Sequence, residues 1–198
     1  MSEVKRKKDK MNNYFSDLTY KKTSEERVFD GVRVKVDRAK YLVNGQEIVR
    51  EIVKAGNAVV ILPIKENGNV IMIQEERQAI DKKILGLPAG MIEEGEDPKE
   101  AALRELEEET GYRANNIQFT RSLFTSCGYS NEKIYYYLAT DFTKTKQHLD
   151  EGEFIDVVEV PLDKLKEMLY NNELITGSVT IALMDYFLRF EDKDKNKE

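Results

Sequence analysis

Cysteine occurs once, at Cys127, and histidine once, at His148, in a chain of 198 residues. One thiol cannot form an internal disulfide, and neither a zinc cluster nor a thiol-redox pair can be assembled from it. Cys127 is not read as a nucleophile either, because His148 lies in an acidic loop and no triad pattern accompanies it. Long apolar runs are lacking as well. The longest, Ala58 to Ile64, is seven residues with Pro63 inside it, against roughly 20 for a membrane span. Bases fall short of acids, 31 to 37, and the net charge of −6 disfavours non-specific binding to nucleic acid. No apolar segment follows the basic start MSEVKRKKDK, so it does not read as a secretory signal and a cytoplasmic location is expected. That start and the polar end EDKDKNKE read as solvated tails.

What is present is the make-up of a folded domain, 40% apolar and 34% charged, at a length that suits one compact unit. From Val32 the pattern VRVKV alternates as a half-buried strand does, and a further strand is expected from Tyr41. Asn44-Gly45 between β-rich runs predicts a hairpin tip. The runs AVVILPI and NVIMIQE, joined through Asn67-Gly68, predict a second hairpin of central strands. Ile84–Met91 is broken by Gly86, Pro88 and Gly90 into a short strand or loop. Further strands are expected at Ile117–Phe124, Lys133–Ala139 and Phe154–Val160, and helices at Leu162–Tyr170 and about Ser178–Phe190. Strands and helices mix without regular alternation, which predicts an α/β sandwich.

The most informative stretch is a predicted helix, Pro98–Thr110. Asp97 suits its N-cap, Pro98 its first turn, Glu100 the third position of a capping box and Gly111 the residue just past its end. Within it Glu105, Glu108 and Glu109 stand at i, i+3 and i+4, on one face, while Leu103, Leu106 and Thr110 can pack inward and Glu107 points elsewhere. Like charges so spaced repel, and only Arg104 offsets them nearby. Such a face is either a solvated acidic surface or a seat for a hard divalent cation, which takes oxygen ligands and substrate phosphates.

The full stretch GMIEEGEDPKEAALRELEEETGY, Gly90 to Tyr112, resembles the signature of the Nudix hydrolases through Gly90, Glu96, Arg104, Glu105, Leu106, Glu108, Glu109 and Gly111. Its last position departs, with Tyr112 where Ile, Leu or Val is usual. The resemblance implies hydrolysis of a nucleoside diphosphate derivative with bound Mg2+, or Mn2+. It implies that Glu105, Glu108 and Glu109 ligate metal with the backbone carbonyl of Ala89. Arg104 is placed among the catalytic residues, and Glu96, Gly90 and Gly111 become structural supports.

REIVKAGNAVVILP, IQEERQAI and LGLPAGMIEEGE resemble the ADP-ribose pyrophosphatase branch of that family. By that resemblance Arg50 and Arg77 contact the substrate's diphosphate or ribose, the alternative for each being an exposed arginine at a strand end. Glu132 matches an acid that follows the branch's Ser-Pro-Gly segment, in which Cys127 stands here for the proline. The acidic loop Asp150-Glu151-Gly152-Glu153 is expected to carry a metal ligand and the base that deprotonates water, with Glu151 and Glu153 both candidates. Tyr14, Phe15, Tyr20 and Phe29 are candidates for stacking on adenine. The expected fold is a Nudix-type α/β/α sandwich with a mixed central sheet. Residues 1–55 are read as a β extension that forms a homodimer, 56–190 as the hydrolase domain and 191–198 as a charged tail. The expected reaction converts ADP-ribose and water to AMP and ribose 5-phosphate. Other nucleotide sugars such as GDP-mannose, dinucleoside polyphosphates, or a non-catalytic sensing role are the alternatives.

Overall fold

The computed structural model describes residues 20–32 and 34–191. Tyr14, Phe15, the basic start and the polar end from residue 192 lie outside the described residues. The described residues divide into two compact units, one holding those up to Ala55 together with Ser126–Asn131, the other Gly56–Thr125 and those from Glu132 onward.

In the first unit three antiparallel strands run in the order β1 (Tyr20–Asp30), β2 (Lys35–Val43) and β3 (Gln46–Lys54). The β2–β3 turn is the expected two-residue Asn44-Gly45, with φ of 49° and 83°, the left-handed pair that matches strand twist. Along β2, Asp37, Ala39 and Tyr41 are buried between exposed Arg38, Lys40 and Leu42, the period of two that one covered face produces. The strand read from Val32 begins instead at Lys35 and continues unbroken through Tyr41, and Val32 is fully exposed. The first strand has no signature because every residue of KKTSEERVFD is exposed, so no alternation marks it. The segment Ser126–Asn131 is tied to this unit, with Val53 N–H donating to the Tyr129 carbonyl at 2.8 Å and Ala55 N–H to Asn131 Oδ1 at 2.9 Å.

The second unit is built on a four-stranded mixed sheet in the order β7-β4-β9-β8, where β4 is Ala58–Pro63, β7 Ala89–Met91, β8 Tyr112–Phe124 and β9 Lys133–Lys144. A three-stranded sheet, β10-β5-β6, comprises β5 (Asn69–Arg77), β6 (Lys82–Gly86) and β10 (Asp156–Pro161). The expected second hairpin is corrected here. Asn67-Gly68 does turn, with Gly68 N–H on the Lys65 carbonyl at 2.9 Å, yet β4 and β5 enter different sheets and share only a bridge between Ile64 and Val70. Strand β4 has both edges occupied, by antiparallel β7 and parallel β9, so no edge is left for its sequence neighbour.

Both faces of β4 are covered, which explains its unbroken apolar run. Val59 and Ile61 pack with Tyr137 and Ala139 against Ala101, Ala102 and Leu106 of helix α1 (Pro98–Thr110). Val60 and Leu62 pack on the other side with Tyr136, Val70 and Met72 against Leu165 of α2 (Leu162–Tyr170) and Val179, Ala182 and Leu183 of α3 (Gly177–Tyr186). The result is a helix-sheet-helix sandwich, the expected mixed α/β class. Helix α3 does not run on as an α-helix to Phe190 as its spacing suggests; residues Phe187–Glu191 form a π-helical turn. The buried Asp185 there is paired with Arg121 of β8 and, at 2.6 Å, with Arg189. Among the described residues no helix is long and apolar enough to cross a membrane.

Helix α1 has the expected ends. Asp97 accepts from the Lys99 amide at 2.8 Å, and Gly111 closes the helix at φ 70° with its N–H on the Glu107 carbonyl. The return half of a capping box, Glu100 to the Asp97 amide, is not formed among the described residues; Glu96 instead accepts from the Glu93 amide at 2.9 Å. Asp97→Ala is expected to cost about 1 kcal/mol of stability, read as a lower urea midpoint with unchanged slope.

Candidate active site

Helix α1 lies along the sheet with its alanines and Leu106 buried, and this orientation turns Glu105 and Glu109 toward β7, while Glu108 reaches Arg104. Glu109 is only 5% exposed and accepts from the Ala89 amide at 2.9 Å. Burial pushes its carboxyl up to about 8; the Ala89 amide opposes the rise, while the charges of Glu105, Glu75 and Glu153 add to it. Glu105 is also raised, first by burial, against the pull of Arg104, with Glu108 and Glu153 contributing.

Arg104 organises the group. Its Nε and Nη2 grip Glu96 at 2.9 and 3.0 Å, a bidentate pair, and Nη2 also donates to the Met91 carbonyl at 3.0 Å. Its Nη1 stands between Glu105 Oε1 at 2.8 Å and Glu108 Oε2 at 3.0 Å. The guanidinium is thus held firmly charged, chiefly by Glu96, and Glu96 is lowered in turn, chiefly by Arg104. Glu107 faces away and pairs with Arg113 at 2.9 Å.

Gly90 is explained by contact. A Cβ there would lie 2.0 Å from Glu105 Cδ and 2.2 Å from both its carboxylate oxygens, so only glycine lets β7 and this carboxylate share the space.

Glu151 and Glu153 sit on the loop before β10, a turn closed by Glu153 N–H on the Asp150 carbonyl and Asp150 N–H on Glu153 Oε2, each 3.1 Å. Both glutamates are exposed, but only the charge of Glu153 acts on both Glu105 and Glu109. Arg77, at the end of β5, pairs with Glu75 at 2.5 Å. Glu132 accepts from Thr125 Oγ1 at 3.1 Å. Arg50 lies on β3 in the other unit, exposed, donating to the Val49 carbonyl at 2.9 Å. Of the proposed adenine-stacking aromatics, Tyr20 is packed on Tyr41 at 4.6 Å between ring centres, and Phe29 is exposed. Cys127 is exposed.

The donors fit a hard divalent ion. All are carboxylate oxygens, and a guanidinium nitrogen already bridges Glu105 and Glu108, which shows that both are aimed at one cationic point. Among the described residues no three acidic, His or Cys side chains stand close enough together to hold a metal ion by themselves; Arg104 is the group that holds two of the carboxylates. Sequence reasoning missed Glu75, whose charge reaches Glu109, and Gln147, which bonds the Glu109 carbonyl. Neither residue stands in a periodic pattern or in the signature.

Fold and site together define a domain that presents desolvated carboxylates from one helix beside an acidic loop, suited to a cation and an anionic substrate. Residues 54–177 match the NUDIX domain, and the chain belongs to that family. It is 35% identical over 191 residues to the methanol dehydrogenase activator of Bacillus methanolicus, covering 94% of this chain and 100% of that one. It is also 35% identical over 170 residues to an ADP-ribose pyrophosphatase of Bacillus subtilis, covering 84% of this chain and 91% of the relative. A crystal structure of an ADP compounds hydrolase superposes with a TM-score of 0.80 at 26% identity, over 93% of this chain and 100% of that one.

Proposed function

We propose that this protein hydrolyses the diphosphate of ADP-ribose, consuming water and yielding AMP and ribose 5-phosphate, with Mg2+ or Mn2+ as the divalent ion. The observation that carries the reading is the set of desolvated α1 carboxylates, Glu105 and Glu109 above all, gathered beside the acidic loop. The substrate follows from the ADP-ribose pyrophosphatase relatives. Glu105, Glu108 and Glu109 would hold the ion with the Ala89 carbonyl beside them, and Arg104 with Glu96 orients the first two. A bound divalent ion supplies neutralisation of the diphosphate and acidification of the attacking water.

Of the two loop acids, Glu153 is the better base, because its charge reaches the helix carboxylates. It takes a proton from the water as the water oxygen bonds to one phosphorus and the bridging P–O bond breaks. By the same resemblance Arg77 and Arg50 contact the substrate's diphosphate or ribose, for which a guanidinium fork is suited, and Glu132 contacts the substrate. Residues 1–55 serve as a dimerisation element; sedimentation equilibrium tests this, and a monomer at micromolar concentration sinks it.

The test is a Mg2+-dependent hydrolysis screen over ADP-ribose, GDP-mannose, NADH and diadenosine polyphosphates with products identified. ADP-ribose is expected to turn over fastest, and Glu153→Gln to lower kcat about 10²-fold while Glu151→Gln changes it little. Preference for another substrate overturns the substrate assignment, and an unaffected Glu153→Gln variant overturns the base.

A second reading rests on the relative named methanol dehydrogenase activator, which aligns over its whole length: the same hydrolytic chemistry serves to stimulate a dehydrogenase. Adding the protein to a methanol dehydrogenase and measuring alcohol oxidation decides this, and an unchanged rate removes it.

A further inference from the structure

A helix leaves its last carbonyls without partners inside the helix; in α1 the Gly111 N–H takes the Glu107 carbonyl, which leaves those of Glu108, Glu109 and Thr110. The chain that leads into the acidic loop takes up two of them. His148 N–H donates to the Glu108 carbonyl at 2.8 Å, and the side-chain amide of Gln147 donates through Nε2 to the Glu109 carbonyl at 2.7 Å. One residue on, Thr145 N–H donates to the Gly111 carbonyl at 2.8 Å. Segment 145–148 therefore lies across the end of α1. Gly111 permits the approach, since a Cβ there would meet Gln147 N at 2.9 Å and the Lys146 carbonyl carbon at 3.2 Å.

The same Nε2 of Gln147 also donates to the Ile155 carbonyl at 3.2 Å, on the far side of the loop. One nitrogen with two N–H groups thus fastens both ends of residues 148–154 to the backbone of Glu109, whose own carboxylate belongs to the site. We propose that Gln147 is a positioning residue for hydrolysis, setting the distance between the acidic loop and the carboxylates of α1. This rests on the reading in which that loop supplies the base. The backbone bonds of Thr145 and His148 keep the stem of the loop in place without the side chain, so removing the amide loosens the loop rather than unfolding it.

The experiment compares Gln147→Met and Gln147→Glu, which keep length and lose the two donors, with Glu151→Gln, Glu153→Gln and the wild type. Both Gln147 variants are expected to lose tenfold or more in kcat on ADP-ribose with KM within twofold. In the metal-free protein the amides of 149–154 should exchange with solvent at least tenfold faster, while those of Ala102–Leu106 in α1 stay as in the wild type. Wild-type kcat or unchanged loop exchange in Gln147→Met, alongside an inactive loop-glutamate variant, overturns the inference alone. Wild-type rates in both loop-glutamate variants overturn the base assignment and this inference with it. A loss of kcat with equally faster exchange along α1 marks a purely structural role and also overturns it.

Discussion

Glu109→Gln is expected to lower kcat by about 10³-fold or more and, in the same protein without metal, to raise the melting temperature at pH 8. The two effects have one cause. Glu109 is nearly buried, so its charge is expensive unless a cation faces it, and its carboxyl sits at about 8 in the fold against an ordinary value of 4.5. A raised carboxyl contributes stability that is fully present below the unfolded value, near 4.5, and is lost as pH rises through the folded value, near 8. The metal-free wild type should therefore weaken between pH 5 and pH 9, by at most a few kcal/mol at roughly 1.4 kcal/mol for each pH unit of displacement. Glutamine carries no charge to bury and keeps an oxygen for the Ala89 amide, so the variant should show a flatter profile and the larger advantage at high pH. With Glu109 as one of the proposed ligands, its loss would forfeit several kcal/mol of charge stabilisation, and about 4 kcal/mol is a factor of 10³. Thermal melts from pH 5 to 9 with and without Mg2+ check both halves; a variant that parallels the wild type across that range defeats the argument.

Gly90→Ala should cost 10²- to 10³-fold in kcat/KM with little change in fold. The added methyl would stand 2.0 Å from Glu105 Cδ, well inside van der Waals contact, and either β7 or the carboxylate must yield. Strand β7 is held by its pairing with β4 and by the Arg104 contact to the Met91 carbonyl. The side chain is the softer partner, so Glu105 swings away from Arg104 and from the other acids. A displacement of about 1 Å at a reacting centre already costs about 10²-fold. The check is steady-state kinetics over a Mg2+ titration, in which the variant should need far more ion to reach its reduced plateau. Gly90→Ala with wild-type kinetics would show that Glu105 is not needed where the structure places it.

How much of this was legible beforehand depends on the range of the cause. Helix α1 could be read because its determinants are local: Asp97 and Pro98 at one end, Gly111 at the other, and acids spaced at one turn of helix between them. The Asn44-Gly45 hairpin was readable for the same reason. Strands β4 and β5 were separated by something not local at all, the pairing of β4 with β9, whose Ile134 lies opposite Ala58. No pattern in AVVILPI reports which edges its neighbours will fill. β1 escaped because an all-exposed strand has no alternation to detect. Within the site, the signature supplied the residue types, but the reason for Gly90 lies fifteen positions on, at Glu105, and appears only when β7 and α1 meet. Gln147 is one amide in a polar stretch and acquires meaning only where the chain crosses the end of α1.

The bridging position of Arg104 Nη1 between Glu105 and Glu108 also bears on how an ion would be admitted. The acids do not wait as bare charges: the single positive charge of Arg104, shared with Glu96, offsets part of the charge of Glu105 and Glu108, and burial favours the protonated form of Glu109. Loading would then be partly a substitution, in which a divalent ion at Glu105, Glu108 and Glu109 would take over the role of the Arg104 bonds and of the proton that burial favours on Glu109. Such an exchange releases protons as it proceeds, so uptake strengthens as the solution becomes more alkaline up to about pH 8 and levels off beyond. The same arrangement allows the domain to be made and kept folded before it meets its ion.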